Sequence, residues 1–495
     1  MILGTAAKSR EQTACRLHYR RVRTAIDMPS LSEVFAGLRS ASILGGNEAG
    51  SDAGRFSYWA AQPTRVLRLE DKHGEPFERL GKALGAYSLK ETIRETLPEG
   101  IFTGGWIGFF GYELGRYVER VPRTTVDDLS MPLIRLCFYD RVICYDRAES
   151  TFILLVLQLP DDSETPQEKL DCLEQLLTRA QSARTVPPQA GDIERVDFSR
   201  IRCNMEKDCY LRAVEKVKRY IYDGEVYQVN LSQRFECDYN RRAIELFHWQ
   251  NLYNPSPYAA YIDAGDFQIV SASPEMFVTI ERGFIRTRPI KGTRPRFEED
   301  SEAAVRANAA NFNELLRSEK ERAELNMIID LERNDLARIC KPGTRKVIQP
   351  RTIEAYRSVF HAVATVGGQL REETGLCDVL RAMFPGGSVT GAPKIRSMEI
   401  IDELEPTARG VYTGSIGFIG VDGTVCLNIA IRTVIISCRK AFVQAGGGIV
   451  ADSDPQAEWQ ETITKARALL AGIAIVQNGR TKQYERRTGG KGGAA

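Results

Sequence analysis

Two pairs of glutamates in the sequence have a spacing that suits a divalent-cation site. Glu321 and Glu324 form one pair and Glu458 and Glu461 the other; each pair lies in a predicted helix, where i,i+3 spacing puts both carboxylates on one face. Taken alone, such pairs are most often solvated helix faces, because glutamate is common and exposed. If all four carboxylates cluster in the fold, their mutual repulsion requires a cation, and oxygen ligands of this kind are those that Mg²⁺ prefers.

Lys291 is a candidate nucleophile. It lies in the segment RPIKGTRPR, in which three arginines accompany it and two prolines and a glycine restrict the backbone. Neighbouring cations lower the pKa of a lysine and so increase the fraction of neutral, nucleophilic amine. The residue types alone favour the plainer alternative, a charged surface patch.

Two glycine-rich segments, Pro385–Pro393 (PGGSVTGAP) and Gly446–Gly448, could bind an anion through backbone amides. Neither matches a Walker A loop or a dinucleotide-binding fingerprint, and turn geometry is an equally good explanation of both. His361 is the only histidine of an apolar segment, VFHAVATV, where a histidine is most often a hydrogen-bonded core residue.

Composition excludes several classes of protein. The 67 Lys and Arg residues nearly balance 65 Asp and Glu residues, so the chain lacks the basic excess of a nucleic-acid-binding protein. No apolar run approaches the ~18–20 residues of a membrane span. The four histidines form no His-x-x-x-His pair, which excludes a His-rich metal site. The eleven cysteines form no Cys-x-x-Cys motif, so we expect reduced thiols and a cytoplasmic location.

The elements that must position these residues mix helices with antiparallel hairpins, which predicts an α+β fold. Helices are predicted at Tyr210–Asp223, Leu315–Leu331 and Pro455–Leu470, the last capped by Ser453 or Asp454. Hairpins are predicted for Phe277–Ile280 with Phe284–Thr287 around Arg282-Gly283, and for Ser415–Val421 with Thr424–Ile436 around Asp422-Gly423.

Changes in composition along the chain predict its domain boundaries. Residues 181–197 read as a polar, proline-containing linker. The basic start could be a transit peptide, but a disordered leader is the preferred interpretation. The predicted units are a disordered basic leader at 1–28, an N-terminal region at 29–180 that packs on the catalytic core, the linker, a catalytic domain at 198–478 and a disordered tail at 479–495.

Six segments in the second half together resemble the chorismate-utilising enzymes, a family that includes component I of aminodeoxychorismate synthases and anthranilate synthases and, more distantly, isochorismate and salicylate synthases. The matching segments are Tyr227–Phe235, Ser273–Phe277, Pro289–Arg296, Asp330–Arg338, Pro385–Lys394 and Ala445–Ala466. Thr103–Gly115 and Gly54–Pro63 match more weakly. The resemblance implies large antiparallel sheets that form a sandwich flanked by helices.

The resemblance also implies roles for individual residues. Mg²⁺ would be held by Glu321 and Glu461, with Glu324 and Glu458 in support, and would bind a substrate carboxylate. Glu275 would be the general acid for departure of the C4 hydroxyl, which requires a raised pKa. His361 and Ser388 would lie beside the reacting ring. The remaining implied substrate-binding residues are Gln228, Gly292, Thr293, Tyr412, Arg432, Gly447, Gly448 and Lys465, and Arg432 is expected on the face of its strand opposite Val425 and Leu427.

Two positions distinguish members of the family. Isochorismate and salicylate synthases carry a water-activating lysine where this chain has Gln228, so hydroxylation is disfavoured. Anthranilate synthases usually carry alanine where this chain has Lys291, whereas lysine is the mark of aminodeoxychorismate synthases. There the amine is thought to attack C2 and expel the C4 oxygen, after which ammonia adds at C4, so that one difficult displacement becomes two steps.

The resemblance also bears on partners. No amidotransferase segment or pyridoxal-dependent lyase is recognisable, which implies a heterodimer with a separate glutamine amidotransferase and 4-amino-4-deoxychorismate as product, for p-aminobenzoate and folate synthesis. The alternatives are an anthranilate synthase with an atypical lysine and a non-catalytic docking paralogue. Family members often carry Leu-Glu-Ser or Leu-Asp-Ser for tryptophan binding, but this chain has Leu44-Gly45-Gly46, which argues against feedback by tryptophan.

Overall fold

The computed structural model describes residues 12–46, 54–71, 74–89, 96–183, 185–191 and 196–479. The first eleven residues of the predicted leader and nearly all of the predicted tail lie outside these ranges. The described residues form ten helices: α1 Met28–Ala36, α2 Pro76–Leu84, α3 Pro166–Ser182, α4 Lys207–Tyr222, α5 Ala243–Tyr253, α6 Glu302–Arg317, α7 Glu319–Ala337, α8 Leu376–Met383, α9 Lys394–Leu404 and α10 Pro455–Asn478. The strands are β1 Thr13–Val22, β2 Ser42–Leu44, β3 Phe56–Ala60, β4 Arg65–Leu69, β5 Tyr87–Leu89, β6 Gly105–Phe110, β7 Ile134–Tyr139, β8 Arg141–Asp146, β9 Thr151–Gln158, β10 Arg202–Cys203, β11 Gln228–Asp238, β12 Tyr258–Asp263, β13 Phe267–Ser273, β14 Met276–Glu281, β15 Phe284–Arg288, β16 Ile290–Pro295, β17 Lys346–Ala355, β18 Val359–Gln369, β19 Gly391–Ala392, β20 Ser415–Gly420, β21 Val425–Asn428, β22 Thr433–Ser437 and β23 Lys440–Ile449.

The strands form two large sheets, which confirms the predicted α+β class. The first sheet has thirteen strands in the order β10-β11-β23-β22-β13-β12-β2-β3-β8-β9-β1-β5, with β19 paired to β11. The second has ten strands in the order β16-β18-β15-β14-β21-β20-β6-β7-β4, with β17 paired to β18. Neighbouring strands are antiparallel except β1 and β5.

The sheets face each other across a shared apolar core, because successive side chains of a strand point to opposite faces. In β9, Ile153, Leu155 and Leu157 belong to the core cluster that also contains residues of the second sheet. The ring of Phe418 in the second sheet lies 5.5 Å from that of Tyr58 in the first. Such an edge-on aromatic pair adds roughly 0.5–1.5 kcal/mol to the burial itself.

The outer face of the first sheet is covered by helices. The alternate residues of β9, among them Phe152 and Leu154, pack in a second cluster with residues of α1, α3, α5 and α10. None of the described helices is long and apolar enough to cross a membrane. All eleven cysteines lie within the described ranges and are free thiols.

The disordered leader predicted for residues 1–28 is wrong from Thr13 onward, because β1 pairs with β5 at its start and with β9 from Arg16 to Val22. Cys15 and Leu17 enter the core, whereas Arg20 forms ion pairs with Asp171 and Glu174 on α3. The charge of Arg20 therefore lies on the face of β1 that α3 covers.

The predicted linker divides the sequence but not the sheets. Helix α3 runs to Ser182, inside the predicted linker. Beyond it, strands of the two halves pair directly: β2 of the N-terminal half pairs with β12, and β6 pairs with β20. The N-terminal region is therefore joined to the catalytic half through both sheets rather than packed on it as a separate layer.

Two predicted elements are interrupted. The helix predicted at Leu315–Leu331 breaks at Ser318, which ends α6 and caps α7 by accepting a hydrogen bond from Glu321 N at 3.4 Å. The strand predicted at Thr424–Ile436 is two strands in different sheets, β21 and β22. Arg432 lies between them with φ +50, so its predicted place on the face opposite Val425 and Leu427 is wrong. The other predicted helices and the hairpin of β14 and β15 are confirmed.

Candidate active site

The structure brings the predicted residues together where the two sheets and two helices meet. Strand β16 carries Lys291 and pairs with β18, which carries His361. Strands β11 and β23 of the other sheet carry Gln228 and Gly446–Gly448. Helices α7 and α10 carry the two glutamate pairs, and α10 starts where Asp454 Oδ1 accepts a hydrogen bond from Ala457 N at 2.9 Å.

The amine of Lys291 lies against the glycine strand β23. A methyl group added to Gly448 would lie 3.3 Å from Lys291 Nζ and 3.0 Å from Gln228 Nε2. Burial lowers the pKa of Lys291, and Lys465 lowers it further, whereas Glu324, Glu275 and Glu461 raise it. The net result is a lowered pKa, in the direction that a nucleophilic amine needs.

The surface-patch interpretation applies to the arginines of this segment and not to the lysine. Arg288 forms an ion pair with Glu354, and Arg294 forms one with Glu314 at 2.9 Å. Their charges are neutralised locally. The predicted direction of the Lys291 pKa is therefore confirmed but for a different reason, since burial has the largest effect on it.

Glu275 is a buried carboxyl, 4% exposed, in the bend between β13 and β14. Burial raises the pKa of Glu275 above its usual value, although a hydrogen bond with Ser388 and the charges of Lys291 and Arg432 oppose that rise. Ser388 reaches it from a short 3₁₀ helix, Gly387–Val389. The shift is in the direction that a general acid requires.

His361 is both buried and positioned by a second predicted residue. Its Nδ1 lies 2.9 Å from Thr293 Oγ1 across the β16–β18 pair. Burial and the charge of Arg432 lower the pKa of His361 to about 3, so the ring is neutral at physiological pH. Its Nε2 is buried without a hydrogen-bond partner in the described chain. A neutral imidazole nitrogen of this kind can contact a bound ligand.

Two of the three predicted carboxylate-binding residues act on the central groups, Arg432 on Glu275 and Lys465 on Lys291, whereas Tyr412 lies beside Arg409. Burial lowers the pKa of the Arg432 guanidinium, and Glu275 partly offsets this. Tyr412 is 6% exposed. Lys465 donates to Gly446 O at 2.9 Å and forms an ion pair with Glu461 at 2.6 Å.

The four glutamates do not converge on one point: the charges of Glu324 and Glu461 act on the Lys291 amine, whereas Glu321 adjoins Gly292 and Glu458 adjoins Gly447. Among the described residues, no three carboxylates, imidazoles or thiols are close enough to hold a metal ion together. Glu321 Oε1 is paired with Arg294 at 2.8 Å, and Glu458 accepts a hydrogen bond from Ser453 Oγ at 2.6 Å.

Two features nonetheless fit the predicted cation. Glu321 Oε2 is buried and has no hydrogen-bond partner in the described ranges. In addition, two glycines adjoin the carboxylates. A methyl group on Gly292 would lie 2.7 Å from Glu321 Oε2, and one on Gly447 would lie 3.0 Å from Glu458 Oε2. The carboxylates also interact electrostatically, since burial and Glu461 raise the pKa of Glu458. Burial acts in the same direction on Glu461, but Lys465, Lys291 and Lys320 together outweigh it and lower the pKa of Glu461.

The glycines of Gly446–Gly448 lie inside β23, so turn geometry does not explain them. They leave space for side chains from β11 and α10. In the other segment, Gly387 belongs to a 3₁₀ turn, so turn geometry holds there.

Sequence reasoning missed Asn230. Gln228 and Asn230 are two residues apart on β11 and therefore share a face of the strand. Both are buried, and the side-chain oxygen of each has no partner in the described chain. The alternation of polar side chains within YQVNLSQRF was the signal that could have identified Asn230.

A separate cavity of about 840 Å³ lies elsewhere and is lined by none of the predicted site residues. Leu44 and Gly45 line it, together with Tyr58, Tyr258 and Phe418. The segment in which the sequence lacks the expected carboxylate and hydroxyl therefore borders this cavity and not the active site.

The chain is similar to known proteins over most of its length. A family model described as chorismate binding enzyme matches residues 49–471. Aminodeoxychorismate synthase component 1 of Bacillus subtilis is 39% identical over 436 residues, covering 85% of this chain and 90% of that protein. Anthranilate synthase component 1 of Pseudomonas aeruginosa is 41% identical over 381 residues, covering 76% of each.

Solved structures agree on the fold. Anthranilate synthase component I from Streptococcus pneumoniae superposes with a TM-score of 0.70 at 31% identity, covering 85% of this chain and 93% of that one. The isochorismate synthase MenF from Escherichia coli gives a TM-score of 0.67 at 16% identity, covering 94% and 96% respectively, and bears on the fold alone.

Proposed function

Because the chain belongs to the chorismate-binding enzyme family, we propose that it is component I of an aminodeoxychorismate synthase, which converts chorismate and ammonia into 4-amino-4-deoxychorismate. The observation that carries the proposal is the position of Lys291. Its amine lies beside Gly448 and Gln228, and the charges of Glu275, Glu324 and Glu461 act on it. A lysine at this position supplies the nucleophile for amination at C4 through a covalent intermediate.

In the proposed first step, the neutral amine of Lys291 attacks C2 of chorismate. Both conjugated ring double bonds shift, so that C1=C2 becomes C1=C6 and C5=C6 becomes C4=C5. The C4–O bond breaks, Glu275 gives its proton to the departing oxygen, which leaves as water, and the lysine nitrogen becomes a secondary ammonium group. Burial lowers the pKa of Lys291 and raises the pKa of Glu275, and both shifts are in the direction that this step needs.

In the second step, ammonia attacks C4, both double bonds shift back, and the C2–N bond breaks, which returns its electron pair to the nitrogen and releases Lys291 as the neutral amine. The Glu275 carboxylate accepts the proton that the new C4 ammonium group loses. Both residues return to their initial states, and nitrogen enters para to the ring carboxylate. His361, neutral and with Nε2 unpaired, would contact the ring without competing for this proton.

We propose that Arg432, Lys465 and Tyr412 bind the substrate carboxylates. Arg432 is held with positive φ at the point where the chain passes from one sheet to the other, which directs the guanidinium towards Glu275. Gly447 and Gly448 allow the substrate to approach the backbone closely, because a side chain there would meet Glu458 or Lys291.

Mg²⁺ is the proposed cofactor. Glu321 and Glu461 are the proposed ligands, with Glu324 and Glu458 in support, because Glu321 Oε2 is buried without a hydrogen-bond partner among the described residues, whereas Glu458 is engaged by Ser453. When bound, the ion would neutralise the carboxylates and fix a substrate carboxylate.

The proposal includes a partner. Ammonia is proposed to come from glutamine through a separate amidotransferase subunit in a cytoplasmic heterodimer, and the product would supply p-aminobenzoate and folate synthesis. Gln228 argues against hydroxylation, because an amide cannot act as the base that activates water.

Anthranilate synthase is the second candidate, favoured by the 41% identity with the Pseudomonas aeruginosa protein. Incubation of the purified chain with chorismate, MgCl₂ and ammonium, followed by mass spectrometry of the product, separates the two. We expect 4-amino-4-deoxychorismate. Anthranilate as the main product would contradict the proposal, and no product from any nitrogen source would favour a docking paralogue.

A further inference from the structure

We propose that Arg409 is a positioning residue for chorismate binding, because its guanidinium joins three segments of the site wall. The side chain is 1% exposed and forms an ion pair with Glu405, whose side chain is 2% exposed. The inference rests on chorismate binding but not on which product is formed.

The guanidinium of Arg409 uses its entire fork of five N–H donors. Nε donates to Glu405 Oε2 at 2.9 Å, and Nη2 donates to Glu405 Oε1 at 2.6 Å. Nη2 also donates to Asn230 O at 2.7 Å. Nη1 donates to Val389 O at 3.0 Å and to Thr413 Oγ1 at 3.2 Å. These bonds account for all five donors.

Each of the three acceptors outside the ion pair belongs to a residue one or two positions after a proposed substrate-binding residue. Asn230 lies two residues after Gln228 on β11. Val389 follows Ser388, which bonds Glu275. Thr413, which follows Tyr412, has φ +58, a backbone conformation that a residue with a β-carbon adopts only when its surroundings hold it. One planar group therefore sets the relative positions of three chain segments.

The ring of Tyr412 packs directly on the same guanidinium. Arg409 Cζ lies 5.7 Å from the ring centre of Tyr412 and 4.7 Å from that of Tyr112. Glu405 extends the network to β11, since its Oε1 accepts hydrogen bonds from Ser232 N at 2.8 Å and Ser232 Oγ at 2.7 Å. Loss of the fork would release the Tyr412 ring and the Ser388 turn together.

The test is the variant Arg409→Lys, which keeps the charge and offers three donors in place of five. Steady-state kinetics with chorismate at saturating ammonium should show KM raised about tenfold, equivalent to about 1.4 kcal/mol, with kcat within about threefold. A purely structural role would reduce the active fraction, lowering apparent kcat and leaving KM unchanged. An unchanged KM in folded Arg409→Lys protein overturns the proposal. Product identity, measured on the same samples, tests the proposed function separately.

A matched control is Lys169, another buried cation, whose side chain is 1% exposed and which pairs with Asp140 at 2.6 Å, away from the site. Lys169→Met should lower the melting temperature and leave KM unchanged. If Arg409→Lys does not fold, Tyr112→Leu decides, since it keeps all five hydrogen bonds and removes one ring from the guanidinium. We expect Tyr112→Leu to raise KM about threefold, and an unchanged KM there also overturns the proposal.

Discussion

Replacement of Gly292 by alanine tests whether the backbone of β16 must approach the glutamates closely. Gly292 has φ +91, and an added methyl group would lie 2.7 Å from Glu321 Oε2 and 2.7 Å from Leu315 Cδ1. Left-handed backbone costs an alanine roughly 1–2 kcal/mol. The overlap with Glu321 and Leu315 adds roughly 1–3 kcal/mol, as other overpacked sites do. Gly292→Ala should therefore reduce stability by roughly 2–5 kcal/mol.

The chain offers a matched control in Gly265, which has the same φ of +91 and where no non-neighbouring atom of the described residues lies within 4 Å of an added methyl group. Gly265→Ala should lose only the backbone component, roughly 1–2 kcal/mol. Urea unfolding of both variants, read as the midpoint and slope, measures the difference between them.

The same pair of variants separates stability from cation binding. Because the methyl group at residue 292 displaces a Glu321 oxygen, Gly292→Ala should weaken Mg²⁺ binding by about tenfold or more, whereas Gly265→Ala should leave it unchanged. Isothermal titration of each protein with MgCl₂ gives the two affinities. Equal stability loss and equal Mg²⁺ affinity in the two variants would refute the reasoning.

Three further changes probe the site. Glu275→Gln should lower kcat for chorismate by about 10²–10⁴-fold with KM within about threefold, and steady-state kinetics would contradict the acid role if kcat is retained. The pKa of His361 is about 3 in the fold and 6.5 when unfolded, so the unfolded chain binds more protons between these values and stability falls as pH drops through that window. Wild type should lose about 2 kcal/mol more than His361→Gln between pH 7.5 and 5, and equal losses in urea unfolding would argue against a buried neutral ring. Gly448→Ala would crowd Lys291 Nζ and Gln228, so kcat/KM should fall about tenfold or more at nearly unchanged melting temperature; unaltered kinetics would show that the close approach is unnecessary.

Local sequence patterns predict much of the fold around the site. The hairpin of β14 and β15 follows from its Arg-Gly turn, and α10 follows from its Asp-Pro start, because these signals involve neighbouring residues only. The sequence signal for the break at Ser318 is a capping serine followed three residues later by Glu321. This signal lies within a stretch whose composition favours helix throughout, so the sequence predicts one continuous helix.

Long-range placement could not be predicted from such patterns. The alternation in Val425–Ile431 is continuous in sequence, yet the chain leaves one sheet and enters the other at Arg432. Only the pairing partners of β21 and β22 decide that change. In the same way, the basic residues of β1 resemble a leader until their acidic partners on α3 are known.

The site residues also differ in whether local sequence can predict them. Spacing alone predicts that Lys291 is a surface residue, because its arginine neighbours are close in sequence, whereas most of the groups that act on its pKa come from other elements. Arg409 was not identified, since a buried arginine cannot be told from a surface arginine without the segments that it joins.

In the proposed reaction Lys291 forms a covalent bond to the substrate. Intact-protein and peptide mass spectrometry of the chain incubated with chorismate and MgCl₂, without ammonia, detects this bond directly. We expect an added mass equal to chorismate less one water on the peptide that contains Lys291, absent in Lys291→Ala and removed when ammonium is added. A wild-type protein without this adduct, together with a Lys291→Ala variant that still forms the para-amino product, would contradict the proposed reaction.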